Sequence, residues 1–396
     1  MKNYIADRFQ NLSGSVLRRF AEEAAKRNLL AFTNGNPAPE TFEIEELARL
    51  ASECLLTDRD KVLRYNMALG FPPLREALKE RLAKKFGIDF ERNDLVITSG
   101  GTQGIDLICK IFLNGSESVV VEQPSYGSCF NIYRGYGKKL LGVPIREDGL
   151  DLTELEKTLK ANPDVKIIYT IPTFANPTGF TATMEKRQAL YAMAQKYDVL
   201  ILEDDPYSEL RYKGEPTKPI KSFDSDGRVF YVGSLSKIIA PAFRLGFTVF
   251  DKTYTPQFNI AKQMTDTHSN LLAQYIAQKY LTGSDFEKHI SFCQETYRHK
   301  SQLMIKLLKE KLHPSIKMSS PEGGLYVMLF LPNDYDGLKF VEKGMDSGVA
   351  CIPGCAFMLD PDKSTNSVRL CYSCVSDEQI KKGVEIIGKV SHEIFD

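Results

Sequence analysis

Between residues 94 and 250 the chain alternates short, continuously apolar segments with amphipathic ones of helical period. The apolar segments are DLVITS (94–99), SVVVEQP (118–124), KLLGVPI (139–145), VKIIYTIP (165–172), VLILEDDP (199–206), RVFYVGSLS (228–236) and RLGFTVF (244–250). Among them lie TQGIDLICKIFL (102–113), DLTELEKTLKAN (151–162) and TMEKRQALYAMAQKYD (183–198). Asp151 or Thr153 can cap the second of these helices and Thr183 the third. A strand that is apolar on both faces has no wet side. It belongs inside a sheet covered by helices above and below, and strands joined through helices run parallel. The expected fold class is therefore α/β, with a mostly parallel seven-stranded sheet sandwiched by helices.

The two ends read differently. A helix is expected over SVLRRFAEEAAKR (15–27), followed by the turn-rich FTNGNPAPETF. A long helix is expected through EKHISFCQETYRHKSQLMIKLLKEKL (287–312). After it, GGLYVMLFLP, GVACIPG and SVRLCYS read as strands of a small α+β unit, closed by a last helix. At 396 residues the chain exceeds what one core usually serves. We expect a large domain over 50–285 and a smaller one combining 1–49 with 286–396.

Charge narrows the partners. Lys plus Arg and Asp plus Glu both number 51. Nucleic-acid binders usually carry a basic excess, so none is expected here. No run of about 18 apolar residues suggests a membrane span, and MKNYIADRFQNLSGS lacks the apolar stretch of a secretory leader. A cytoplasmic protein is expected. Cys371 and Cys374 have C-x-x-C spacing, but no nearby Cys or His pair completes a zinc set. The five histidines are scattered, so no metal site is expected.

Ligands of open α/β sheets bind at the carboxyl ends of the strands, so the segments just beyond those ends are the first candidates for a site. SGGTQG (99–104) opens a helix with small residues whose backbone N–H groups could hold a phosphate. ANPTG (175–179) is a tight turn that could present an Asn amide. EDDPY (203–207) ends a buried strand in acids, which need a partner or water. YVGSLSKIIAPAFRLGF (231–247) places Lys237 among Ser234, Ser236 and an apolar run, with Arg244 seven residues on. Semi-burial favours a neutral, nucleophilic lysine amine, and the serines and arginine suit a phosphate. An amine, a phosphate cradle, an Asp and an Asn together point to pyridoxal 5'-phosphate (PLP) held as a Schiff base.

SLSK with Arg at plus seven, NPTG and DDPY resemble, in order and spacing, the class I/II aminotransferases of PLP fold type I. PEGGLYVMLFLP and GVACIPG resemble that family's small-domain strands, and SVRLCYS its substrate-arginine segment. SVLRRF, AFTNGNPAPETF and RYNMALGFPPLREAL are similar to the subgroup holding 2-aminoadipate and kynurenine aminotransferases. The resemblance spans nearly the whole chain.

It implies these roles. Lys237 forms the covalent link and then moves the proton between the substrate Cα and the cofactor. Asp204 pairs with the pyridinium nitrogen, Tyr207 and Asn176 with the ring oxygen, and Tyr126 stacks on the ring. Gly100, Gly101, Thr102, Ser234, Ser236 and Arg244 cradle the phosphate. Tyr65 reaches the phosphate of a neighbouring subunit, implying a homodimer with shared sites. Arg369 clamps the substrate α-carboxylate, helped by Asn176 and the Gly35 backbone. Arg18 stands where some relatives place a mobile arginine for a distal carboxylate. Two stretches depart from the subgroup: Gly101-Thr102-Gln103-Gly104 replaces Ser-Gln-Gln-Ala, and Asn66-Met67-Ala68 replaces a Gly/Pro-rich turn at the substrate entrance.

The resemblance implies transfer of an amino group from an α-amino acid to a 2-oxo acid such as 2-oxoglutarate. Two alternatives share the fold. One is PLP-dependent β-elimination. The other is a non-enzymatic regulator domain, which would carry a basic winged-helix domain ahead of the fold; the chain begins at the fold with zero net charge, so the enzyme is expected.

Overall fold

The computed structural model describes residues 4–10, 12, 14–283 and 285–396. The seven apolar segments form one sheet. Its order is Asn93–Thr98, Gly246–Asp251, Val229–Ser234, Leu200–Asp205, Val165–Thr170, Ser118–Gln123 and Lys139–Arg146. An eighth strand of two residues, Gly149–Leu150, folds back antiparallel on the last of these. It is too short to show a period in sequence. Of the seven, only Gly246–Asp251 runs antiparallel to its neighbours; the remaining pairings are parallel.

Both faces of the sheet are buried, and successive residues feed different cores. Val119 and Val121 pack with Ile167, Leu202 and Phe230 beneath the helix Gly101–Phe112. Val120 packs the other way, with Ile168, Ile201 and residues of the helices Leu152–Ala161 and Met184–Lys196. Burying each such side chain contributes about 1.5–3 kcal/mol. Asp151 caps its helix by accepting from the N–H groups of Thr153 and Glu154, and Thr183 caps the next from Lys186 N–H.

The C-terminal third builds a four-stranded antiparallel sheet in the order Lys317–Met318, Tyr326–Phe330, Ser367–Cys371 and Ile352–Pro353. The 26-residue helix Phe286–Lys311 and the terminal helix Asp377–Phe395 pack against each other beside it. Leu30–Ala31 pairs in parallel with Val349–Ala350, which brings the N-terminal segment to this unit. Among the described residues no helix is long and apolar enough to cross a membrane.

This topology assembles one edge. Five of the six parallel strands bring their ends together there, at Thr98, Gln123, Thr170, Asp205 and Ser234. The antiparallel strand begins there, with Gly246 in register with both Thr98 and Ser234. Residues just after five strands and just before a sixth therefore meet. Gly246 permits this approach: a Cβ on it would stand 2.7 Å from the carbonyl carbon of Gly100.

Candidate active site

At that edge, between the large sheet and the C-terminal unit, lies a cavity of about 560 Å³. Arg18, Gly35, Gly101, Thr102, Tyr126, Asn176, Asp204, Tyr207, Ser234, Ser236, Lys237, Arg244 and Arg369 all line it. Gly100 stands directly behind Arg244. Of the residues singled out in sequence, only Tyr65 lies elsewhere. It is 89% exposed, with its ring edge-on to His268.

Lys237 follows the Val229–Ser234 strand in a turn whose Ile238 and Ile239 are buried. The Ile238 carbonyl is held by His289 Nε2 at 2.8 Å. Lys237 Nζ donates to the Gly35 carbonyl at 2.8 Å. Burial pulls its pKa down, and the charges of Arg244 and Arg369 push the same way against the thiols of Cys371 and Cys374. The amine therefore loses its proton more readily than an exposed lysine.

Three acids end the Leu200–Asp205 strand, and alternation along it sorts them. Glu203 accepts from the N–H groups of Ile220 and Lys221, and Asp205 from Ser208 N–H and the Tyr231 hydroxyl. Both are thereby committed to the scaffold. Asp204 faces the other way, and Tyr169 Oη donates to its Oδ2 at 2.8 Å. Burial pushes the Asp204 carboxyl up to about 7, which the Tyr169 hydrogen bond counters and the neighbouring Asp205 reinforces. A cation beside it would favour its ionised form.

The sign of that shift makes a prediction. A carboxyl raised from 3.8 to about 7 keeps its proton in the folded chain where the unfolded chain has lost it. The associated stability is complete below the ordinary value and is lost as pH rises through about 7. Asp204→Asn is neutral at every pH. In cofactor-free protein it should raise the thermal midpoint at about pH 8 by about 2–5 °C, with the gain shrinking as pH falls below about 7 and vanishing below about pH 4. Scanning calorimetry across this range would show it; a gain independent of pH would contradict it.

Arg369 sits on the Ser367–Cys371 strand and is 3% exposed. Its Nη1 donates to Asn176 Oδ1 at 3.1 Å and its Nη2 to the Thr33 carbonyl. The guanidinium lies 4.5 Å from the Tyr326 ring and 5.0 Å from that of Phe357. Its Nε has no hydrogen-bond partner among the described residues. A buried, rigidly held guanidinium with a donor to spare suits a carboxylate.

The phosphate-sized end is built from backbone. Gly100 has φ +82°, and the helix Gly101–Phe112 starts immediately after it. A Cβ on Gly100 would stand 2.4 Å from Arg244 Nη2, so glycine is what lets the arginine close on this loop. Arg244 has φ +51° and makes only 3.5 Å bonds, to the Pro241 and Ser99 carbonyls. No carboxylate pairs with it among the described residues. Ser234 Oγ accepts from Ser236 N–H at 3.2 Å. Free donors, an unpaired guanidinium and a helix N-terminus fit an anion at one end of the cavity. Asp204 fits a cationic ring nitrogen, and Lys237 an aldehyde. The residues present thus fit PLP.

Two cavity neighbours have no signal of their own in sequence. Tyr326 Oη lies 3.3 Å from Tyr207 Oη, and Tyr169 holds Asp204. Each reads as a core aromatic of an apolar strand. Only the pairing of distant strands gives its hydroxyl a polar partner. Arg18 lines the mouth, 81% exposed on its side chain, and pairs with Glu22 at 2.8 Å.

Fold and cavity together define a PLP-dependent transferase of fold type I. Residues 28–387 match the family model for aminotransferase class I and II. The chain is 36% identical to aromatic-amino-acid aminotransferase 1 of Thermococcus litoralis, over 99% of this chain and 95% of that one. It is 30% identical to 2-aminoadipate transaminase of Thermus thermophilus, over 96% and 94%. The structure of Pyrococcus horikoshii kynurenine aminotransferase, 35% identical, superposes with a TM-score of 0.94 over 99% of this chain and 98% of that one. The chain belongs to the class I and II aminotransferases and is a PLP-dependent transaminase.

Proposed function

We propose that the chain moves an amino group between an α-amino acid and a 2-oxo acid, 2-oxoglutarate among them, with Lys237 at the centre. The observation that carries this is the sharing of one cavity by a charge-disfavoured amine, an inward carboxylate, an unpaired arginine and a buried arginine. PLP supplies an aldehyde that takes up an amine and a cationic ring that withdraws electrons from the carbon losing its proton. Lys237 Nζ would anchor it and, as a free amine, would move the proton between the substrate Cα and the cofactor. Asp204 holds the ring nitrogen's positive charge, with Tyr169 fixing the carboxylate's orientation. Tyr207 and Asn176 donate to the ring oxygen; the Asn176 carbonyl is already taken by Arg369, so its Nδ2 is the donor left. Tyr126 covers the ring. Gly100, Gly101, Thr102, Ser234, Ser236 and Arg244 hold the phosphate. Arg369 binds the α-carboxylate, with Asn176 and the Gly35 backbone beside it.

The relatives are named for aromatic amino acids, 2-aminoadipate and kynurenine at similar identity, so similarity alone favours no single donor. We read Arg18, exposed at the cavity mouth where it pairs with Glu22, as the group that meets a second carboxylate. A panel of donors with 2-oxoglutarate, followed by glutamate formation, tests the reaction. Ammonia and pyruvate released without any oxo acid would contradict it. Arg18→Ala should raise KM about tenfold for acids bearing a distal carboxylate and leave aromatic donors unchanged; an equal effect on both would remove that role.

Three further readings accompany this one. A homodimer with shared sites is supported by Tyr65 and Met67, 89% and 63% exposed on one loop, with Leu56 and Leu63 also exposed; sedimentation as a monomer would contradict it. A cytoplasmic location is supported by eight unpaired cysteines, seven of them buried, and labelling outside that compartment would contradict it. A division into 50–285 and 1–49 with 286–396 is supported by the pairing of Leu30–Ala31 with Val349–Ala350. Limited proteolysis that never cuts near these limits would count against it.

A further inference from the structure

A second buried lysine lies behind the phosphate end. Lys262, on the helix Thr255–Asp266, has a side chain 0% exposed. Its Nζ donates to Gln103 Oε1 at 2.8 Å, to Asp266 Oδ1 and Oδ2 at 2.6 and 2.8 Å, and to Ser269 Oγ at 2.9 Å. Gln103 closes the ring: its Oε1 accepts from Ser99 N–H at 2.7 Å and its Nε2 donates to Asp266 at 2.8 Å. Ser99 Oγ donates to Asp266 Oδ2 at 2.9 Å and lies 3.0 Å from Ser269 Oγ. The helix ends at once in Thr267, with φ +64° on a residue that is not glycine.

Apolar residues in place of a buried ion pair are often as stable or more so, so what the cluster joins is the more informative feature. What the cluster does is join two stretches far apart in sequence. One is Ser99–Gln103, whose Ser99 carbonyl receives Arg244 and whose next three residues form the cradle. The second is the end of the helix with the Thr267–Ser269 turn that follows it, where the Ser269 carbonyl accepts from Gln274 Nε2 and His268 stands against Tyr65. Gln274 Oε1 in turn accepts from Phe71 N–H, at the far side of the Tyr65 loop.

We propose that Lys262 and Asp266 are positioning residues for the cofactor phosphate, fixing the Ser99–Gln103 loop against the segment that backs Tyr65. This rests on the reading that Gly100–Thr102 and Arg244 hold the phosphate. Lys262 touches neither cofactor nor substrate; it acts through Ser99 and Gln103.

The experiment titrates the full-length chain, freed of cofactor, with PLP and separately with pyridoxal, which lacks the phosphate. Bound ligand is followed by its visible absorbance. The native chain should prefer PLP strongly, and Lys262→Met should lose about tenfold in PLP affinity with pyridoxal affinity unchanged. If the native chain does not distinguish the two ligands, the cradle reading fails and this proposal with it. If it does, and Lys262→Met weakens both ligands equally or neither, the cradle stands and the positioning role is overturned. Ser99→Ala, at a half-buried loop position, decides the matter if Lys262→Met does not fold. It should lose about threefold on PLP alone, and an unchanged PLP-to-pyridoxal ratio would overturn the proposal.

Discussion

Lys237→Ala should lower turnover with every α-amino acid donor by about 10⁴-fold or more. Two losses combine. On the proposed role of Lys237, the variant has no amine to anchor the cofactor's aldehyde, and none to accept the substrate's Cα proton. Among the described residues no second lysine lines the cavity, so no neighbour can substitute. Lys237→Arg separates charge from chemistry. It restores a cation beside the Gly35 carbonyl but stays protonated, and should be as inactive as the alanine variant. Single-turnover absorbance with a fixed donor is the measurement, since a slow residual rate remains visible there.

Arg369→Ala should reduce kcat/KM by about 10²–10³-fold for every donor and acceptor alike, through two lost charge-assisted hydrogen bonds. Uniformity is the point. The α-carboxylate is common to all substrates, so an effect confined to one donor would place Arg369 on a side chain instead. Arg369→Lys should recover little. A lysine cannot reach Asn176, the Thr33 carbonyl and a carboxylate together, and it loses the planar contact with Tyr326 and Phe357. The contrast with Arg18→Ala, expected to select among substrates, distinguishes a common anchor from a group reading the substrate's far end.

Much of this was legible in sequence for a simple reason. Strands such as SVVVEQ and VKIIYT are apolar at successive positions because both faces are covered, and that pattern needs no partner strand to be recognised. Residues at the carboxyl ends of such strands are site candidates by topology alone, which is how Lys237, Asp204 and Asn176 stood out. The start of the seventh strand was not legible. RLGFTVF reads as a strand from Arg244, yet pairing begins at Gly246, after the short helical turn Pro241–Phe243 and a left-handed Arg244. That backbone exists because the arginine must turn toward Gly100, which is remote in sequence.

Other features were hidden because they depend on which segments meet. Tyr169 is one apolar-strand tyrosine among several until register sets Thr170 beside Glu203, leaving its hydroxyl near Asp204. Lys262 looks like any helix lysine, and its burial comes from the turn at Thr267 folding Ser269 over it. Within DDPY, composition gives two equal acids. Alternation assigns Asp205 to Ser208 and Tyr231 and leaves Asp204 to the cavity.

We propose that Lys237 is the residue to which PLP is joined. Holoenzyme reduced with borohydride, digested and mapped by mass spectrometry tests it directly. A phosphopyridoxyl group is expected on the peptide carrying Lys237 and on no other. A label on another lysine, or cofactor released intact after reduction, would contradict it.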